Sequence, residues 1–421
     1  MVRLRAYDRE QLDPEQQVSY DVYEWYLDNL VRGHEFAYHN YPVHHFLGSY
    51  QDELLRLFTE IHPLRDVQDA EDYVERLSRV DAQVGQLLQG LKVREEMGVI
   101  PPSFIISMTL RDLRRLSQGQ ARTSPFFTSF RDRLKRMEGL SDTDRESFLE
   151  RAEQQVSSSV VPAFRALADH VEGLQPLSTA DAGAWKLPDG TAYYAYMLRT
   201  ESSTDLTPEE VHELGLAEVE RIEAEMQEVA AGLGYPKGLG IGDLMNRVAE
   251  DGGFYETDSQ AGKDRLIAAY EALLDEVSGR LDEVFDIRPQ AEVEVVGDPG
   301  FGAGGYYVPG ARDGSRPGAF HTGVGGSAVP KFNMPTIAYH EAIPGHHFQI
   351  AIAQEAELPT LRTDLFFNGY AEGWALYAER LAWELGLYED NLYGDLGRLH
   401  LELLRAVRLV ADTGIHHMGW S

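Results

Sequence analysis

Tyr339-His340-Glu341-Ala342-Ile343-Pro344-Gly345-His346-His347 is the stretch on which the reading of this chain turns. A histidine followed at once by glutamate, with another histidine further along, is the pattern a hydrolytic zinc site needs. Two imidazoles hold the ion, and the neighbouring carboxylate takes a proton from the water that the metal activates. The spacing departs from the usual H-E-x-x-H. Each residue of a regular helix turns by about 100°, so His346 would lie about 240° round from His340. His347 would return to within about 20°, but about 10.5 Å along the axis. Neither position serves one ion whose ligands each sit about 2 Å away. Pro344 removes the conflict. It has no N–H for the carbonyl of His340, so the helix must bulge or break there, and Gly345 tolerates the dihedrals that follow. A bulge that absorbs two residues delivers His346, and one that absorbs three delivers His347. The reading favours His346 and keeps His347 open.

A zinc site also needs a third protein ligand and an open position. The segment Ala371-Glu372-Gly373-Trp374-Ala375-Leu376-Tyr377-Ala378-Glu379 offers two glutamates. They share a helix face but stand two turns apart, so both cannot bind one ion. Glu372, with Gly373 beside it to admit a close backbone, is taken as the ligand. Glu379 is placed behind it, hydrogen-bonded to a ligand histidine or an arginine. A further helix, rich in leucine and valine, carries Arg408, Asp412 and His416 at i, i+4 and i+8. Charge on a buried helix needs partners. This stripe is therefore expected to face the metal, with His416 donating to the developing oxyanion.

Composition narrows the alternatives. The 421 residues carry 69 acids against 38 bases, a formal net charge of −31, which opposes nucleic acid and anionic membranes as partners. There is no cysteine, so any metal must be held by nitrogen and oxygen. No apolar run is long enough to span a bilayer, and the first sixteen residues lack an apolar core, which makes a cytoplasmic location the expectation. The sequence does not fix the oligomeric state. The chain stops just after the apolar Met418-Gly419-Trp420, so a C-terminal truncation is suspected.

Periodicity predicts helices over about 13–33, 50–60, 67–95, 104–117, 143–173, 207–232 and 259–284. The first carries Val18, Val22, Tyr26 and Leu30 at helical spacing. Short strands follow at about 291–296, 306–308 and 319–322, then helices over about 334–356, 365–386 and 393–418. The expected architecture is mainly α, with a small β-sheet next to the HE-motif helix. Residues 1–285 form a helical body and 286–421 the metal-site region, within one continuous domain. Gly300-Phe301-Gly302-Ala303-Gly304-Gly305 matches a dinucleotide fingerprint, but strand-forming Tyr306-Tyr307-Val308 follows where a helix should open. It is read as a loop leading to an edge strand.

HEAIPGHHFQ, EGWALYAERL and RAVRLVADTGIHHMGWS, with AGGYYVPG and DGSRPGAF ahead of them, resemble the domain of unknown function 885 (DUF885) family. That family is grouped with the gluzincin-type metallopeptidases. The resemblance is specific from about Gly304 to Ser421. It implies a mostly helical, zincin-like metallohydrolase fold with one zinc ion held by His340, His346 (or His347) and Glu372, and Glu341 as general base. It also implies further chain beyond the GWS motif. The function expected is a zinc-dependent peptidase acting on short peptides, with His416, Tyr306 or Tyr307 helping to hold the oxyanion. A non-peptide amide hydrolase, a two-histidine-one-carboxylate iron enzyme and an inactive metal-free binding protein are the alternatives.

Overall fold

A computed structural model describes residues 1–356 and 358–421. The chain is mainly helical with small sheets, and it divides into two compact units. One comprises Met1–Arg32 and Ala195–Met418, the other Gly33–Tyr194 and Gly419–Ser421. The chain passes between them after residues 32, 194 and 418, and none of these is residue 285, where the sequence reading divides the chain.

The Gly33–Tyr194 unit closes its helices on an aromatic core of Phe58, Tyr73, Phe126, Phe130 and Phe164. Tyr73 stacks on Phe130 at 4.4 Å, and its hydroxyl donates to the Phe126 carbonyl at 2.8 Å. The buried hydroxyl is thereby satisfied. The single helix expected over 67–95 is two, Val67–Leu77 and Val80–Glu96. The Ser78 hydroxyl at the break donates to the Glu75 carbonyl, a local bond that competes with continuing the helix. Helices at Pro125–Leu134, Gly190–Ser202 and Ile241–Gly252 lie outside the sequence expectation.

The other unit carries the HE motif. Its N-terminal helix, Pro14–Gly33, does not bury the predicted stripe: Val18 is 46% and Leu30 51% exposed, while Asn29 is buried. The face is polar because Asn29 binds Thr200 and Arg199, at 3.0 and 2.9 Å. A small sheet is built from β1 (Val293–Asp298), β2 (Gly305–Val308) and β3 (Gly318–Gly323), in the order β1-β3-β2. β1 runs parallel to β3 and β2 antiparallel, so β2 is an edge strand. Gly305, the third glycine of the apparent fingerprint, starts β2 rather than a helix. The phosphate-facing helix terminus is therefore missing.

Among the helices that follow, the site is framed by α1 (Met334–Glu341), α2 (His346–Glu355), α3 (Asn368–Glu384) and α4 (Leu392–His416), with a short helix at Thr360–Asp364 between α2 and α3. Phe320 and Val324 from the sheet side share one core with Ala338 and Tyr339 of α1, Phe348 of α2 and Ala382 of α3. That core seats the HE helix against the sheet. Along α4 lies Pro208–Gly232, which opens with a capping box formed by Thr207 and Glu210. A Cβ on Gly215 would stand 2.8 Å from Val410 Cγ2, so this glycine allows the two long helices to meet closely.

Candidate metal centre

The HE helix breaks outright. α1 ends at Glu341, Ala342 leaves the helical region at φ −112° and ψ −92°, the Ile343–Pro344 peptide is cis, and α2 starts at His346. Of the bulge or break expected at Pro344 the structure has the break, and the single helix expected over 334–356 is corrected to two helices. Gly345 sits at φ −80° and ψ −129°, outside the helical and extended regions, as expected of the residue that follows the break. A Cβ there would also lie 1.8 Å from the His340 carbonyl oxygen and 2.4 Å from that of Tyr339. Glycine is required because the start of α2 presses on the end of α1. The Phe348 N–H donates to the Ala342 carbonyl at 3.2 Å, and the Trp374 indole N–H to the Pro344 carbonyl at 2.9 Å. The second bond ties the break to α3.

This geometry sets His346 across from His340, with ring centroids 4.8 Å apart. His340 Nε2 lies 3.5 Å from one oxygen of Glu372, and His346 Nε2 lies 3.7 Å from the other. The three donor atoms fall within 4.8 Å of one another. Ligands about 2 Å from a tetrahedral ion stand about 3.3 Å apart, so a closure of a few tenths of an ångström to about 1.5 Å would accommodate one. The set is two imidazoles and a carboxylate, which suits zinc, and iron of the two-histidine-one-carboxylate type as well. Glu372 is 59% exposed, so the cluster opens to solvent.

His347 points elsewhere. Its Nδ1 is 2.9 Å from the Tyr307 hydroxyl and its Nε2 is 3.1 Å from the Ala291 carbonyl oxygen. Gly318 passes so close that a Cβ there would meet the Tyr307 hydroxyl at 2.4 Å. Two expectations are corrected here. His347 is a sheet-facing residue held at both nitrogens, and the Tyr307 hydroxyl is engaged with it rather than with the cluster. The close backbone expected beside Glu372 is missing too, since nothing lies within 4 Å of where a Gly373 Cβ would be.

Glu379 lies where its two-turn offset from Glu372 takes it, at the opposite nitrogen of the same imidazole. Its Oε1 is 2.8 Å from His340 Nδ1, and its side chain is only 1% exposed. A buried carboxylate needs compensation, and Arg405 provides it with Nη2 at 2.8 Å from the same oxygen. The pair fixes the ring so that Nε2 faces Glu372 and His346.

Arg405 is the residue that the sequence reading missed. The stripe of Arg408, Asp412 and His416 does not supply the site: Arg408 and Asp412 are exposed, and His416 Nε2 approaches Asp412 Oδ1 at 3.7 Å. α4 is not buried all round, so charge on that face needs no internal partner. The inward stripe is Arg398, Glu402 and Arg405, at i, i+4 and i+7. Arg398 is buried against Asp395 at 2.7 Å and Glu402 at 3.1 Å. That spacing was present in the sequence as a second candidate stripe on the same helix.

Burial raises the Glu341 carboxyl to about 7; nearby Glu372 and Glu379 add to this, while His340 and Arg405 oppose it. Burial, then the charges of His340 and Arg405, lowers His346 to about 4 against the pull of Glu372, leaving it neutral and able to ligate. For His340, burial acts downward, but the Glu372 and Glu379 carboxylates outweigh it and raise the ring to about 9. Its bonded partner Glu372 is lowered chiefly by that hydrogen bond. In the metal-free protein the His340 imidazole is thus expected to titrate near 9 by nitrogen NMR, and well below that in Glu379→Gln. The folded value lies above the unfolded 6.5. The stability it contributes is therefore present in full below pH 6.5 and lost as pH rises through about 9. Metal binding needs the neutral ring, so it displaces this proton.

A mainly helical chain with a His-His-Glu cluster beside a glutamate is the class these observations define. The chain belongs to the DUF885 family, bacterial proteins of unknown function, whose model matches residues 1–421. It is similar to the crystal structure of a candidate lipoprotein from Colwellia psychrerythraea, with a TM-score of 0.82 and 33% identity. That match covers 90% of this chain and 66% of the other, so this chain spans just under two thirds of that relative. A candidate lipoprotein of unknown function from Shewanella oneidensis shares the fold at a TM-score of 0.70 and 15% identity, over 100% of this chain and 75% of its own. No curated protein matches the chain. Among the described residues, no helix is long and apolar enough to cross a membrane.

Proposed function

We propose that this chain is a zinc-dependent hydrolase of amide bonds, with short peptides as substrates. The observation that carries the reading is the convergence of His340, His346 and Glu372 within 4.8 Å of one another, with Glu341 next to the first ligand. Zinc held by those three residues would polarise the amide carbonyl and activate a water for attack on it. Glu341 accepts the proton of the attacking water as the new C–O bond forms. It returns that proton to the nitrogen as the C–N bond breaks, leaving a carboxylic acid and an amine. Its raised affinity for protons near neutrality suits both steps. Glu379 and Arg405 hold His340 in orientation. Arg405 also acts electrostatically on Glu341, His346 and Glu372, so its positive charge would offset negative charge developing on the carbonyl oxygen at the cluster. The edge strand β2 has backbone groups on one side to pair with an extended peptide.

The cytoplasmic location is likewise a proposal, and the lipoprotein descriptions of both structural relatives weigh against it. A digest of a mixed short-peptide library tests the activity. Cleavage by the zinc-loaded protein is expected, abolished by chelator and restored by zinc. Cleavage that survives complete metal removal, or restoration by iron(II) alone, would sink the zinc reading.

A further inference from the structure

Beside the cluster lies an open groove of about 810 Å³. That is within the range of about 300–1,000 Å³ typical of small-molecule sites. It is built wholly within the unit that carries the motif. Its apolar wall is formed by Trp25, Ile350, Ala353, Phe366, Phe367 and Tyr370. Trp25 packs edge-on against Phe367 at 5.4 Å, with the Arg199 guanidinium 4.8 Å over the indole on its way to Asn29. Phe366 and Tyr370 are exposed, although they are large and apolar.

Two connections join this groove to the cluster. Ala371, in its lining, directly precedes Glu372. Gln349 and Ile350, also in the lining, follow His346 by three and four residues, on the same face of α2 about 4.5–6 Å further along. The groove therefore begins within one helical turn of two of the three candidate ligands. The acidic chain as a whole would suggest cationic side chains as ligands. At this rim, however, the two carboxylates are already matched: Asp21 with Arg9 at 2.6 Å, and Asp364 with Arg312. Arg362, 4.0 Å from Glu15, and the neutral Gln349 and Gln354 are the other polar side chains of note there, and most of the remaining wall is aromatic and aliphatic surface.

We infer that this groove receives a large apolar or aromatic side chain of the peptide, next to the bond held at the cluster. This assignment of substrate class rests on the hydrolase reading for its biological meaning but not for its test. The test is calorimetric titration of metal-free protein with two peptides of equal length and charge, Gly-Gly-Phe-Leu-Gly-Gly and Gly-Gly-Ala-Ala-Gly-Gly. Burying an aromatic and a leucine side chain is expected to make the first bind at least about tenfold more tightly. Ala353→Phe projects a ring from the apolar wall into the groove and should weaken that preference. Phe366→Ala, at an exposed position that the fold does not depend on, should weaken it. Zinc binding is expected to be unchanged in both variants. Equal affinity for the two peptides, or a preference undiminished by both substitutions, overturns the inference. If zinc-loaded protein leaves both peptides uncut while the binding preference stands, the hydrolase reading fails and the groove assignment does not.

Discussion

Glu341→Gln is expected to retain zinc and lose hydrolysis by about a hundredfold or more, the range over which a positioned acid–base group contributes. The amide has nearly the shape of the acid, so α1, the break and the three ligands should keep their places. What it lacks is a site that can accept a proton and release it. The loss should appear in kcat, with KM little altered, because the interaction matters only as the bond is being made and broken. Two measurements check this together: metal content of the purified variant, and initial rates on a peptide cleaved by the wild type. Undiminished rates at full zinc occupancy would remove Glu341 from the mechanism.

His346→Ala and His347→Ala are adjacent substitutions with opposite expected outcomes. His346 Nε2 faces Glu372, and its ring is kept neutral by burial. Replacing it leaves one imidazole and one carboxylate, too few for a stable zinc site. Zinc affinity should fall by at least about a hundredfold, a larger loss than the ten- to hundredfold typical of removing a residue behind the ligands. Full zinc occupancy in His346→Ala would contradict the assignment. His347→Ala should keep its zinc. Its cost should instead be to stability, since the Tyr307 hydroxyl and the Ala291 carbonyl both lose a partner in a partly buried setting. Melting temperature and zinc titration on the two variants separate these effects.

How far the site was legible depended on the distance over which each signal acts. Pro344 is a local device, and its consequence at the His340 carbonyl follows from the peptide chemistry of five residues. The offset between Glu372 and Glu379 is also local, and helical rise alone says that they cannot serve the same atom. The reason for Gly345 is tertiary. Besides its unusual ψ, it depends on the packing of α2 against the end of α1, which no dihedral preference reveals. Arg405 is harder still. Two polar stripes run along α4, and the sequence does not say which one turns toward Glu379, 26 residues earlier. The same limit explains the N-terminal helix. Its apolar spacing marks a helix, but the face it buries was set by the fit of Asn29 to Thr200 and Arg199. Helices with strong caps, such as Pro208–Gly232, were placed well because a capping box is complete within four residues.

The central claim is that one zinc ion sits between His340, His346 and Glu372. An anomalous difference map, measured at the zinc edge on crystals grown with zinc, tests it most directly. The account predicts a single strong peak about 2.0–2.2 Å from His340 Nε2, His346 Nε2 and an oxygen of Glu372. A peak on His347, or none at the cluster in crystals that hold zinc elsewhere, would contradict it.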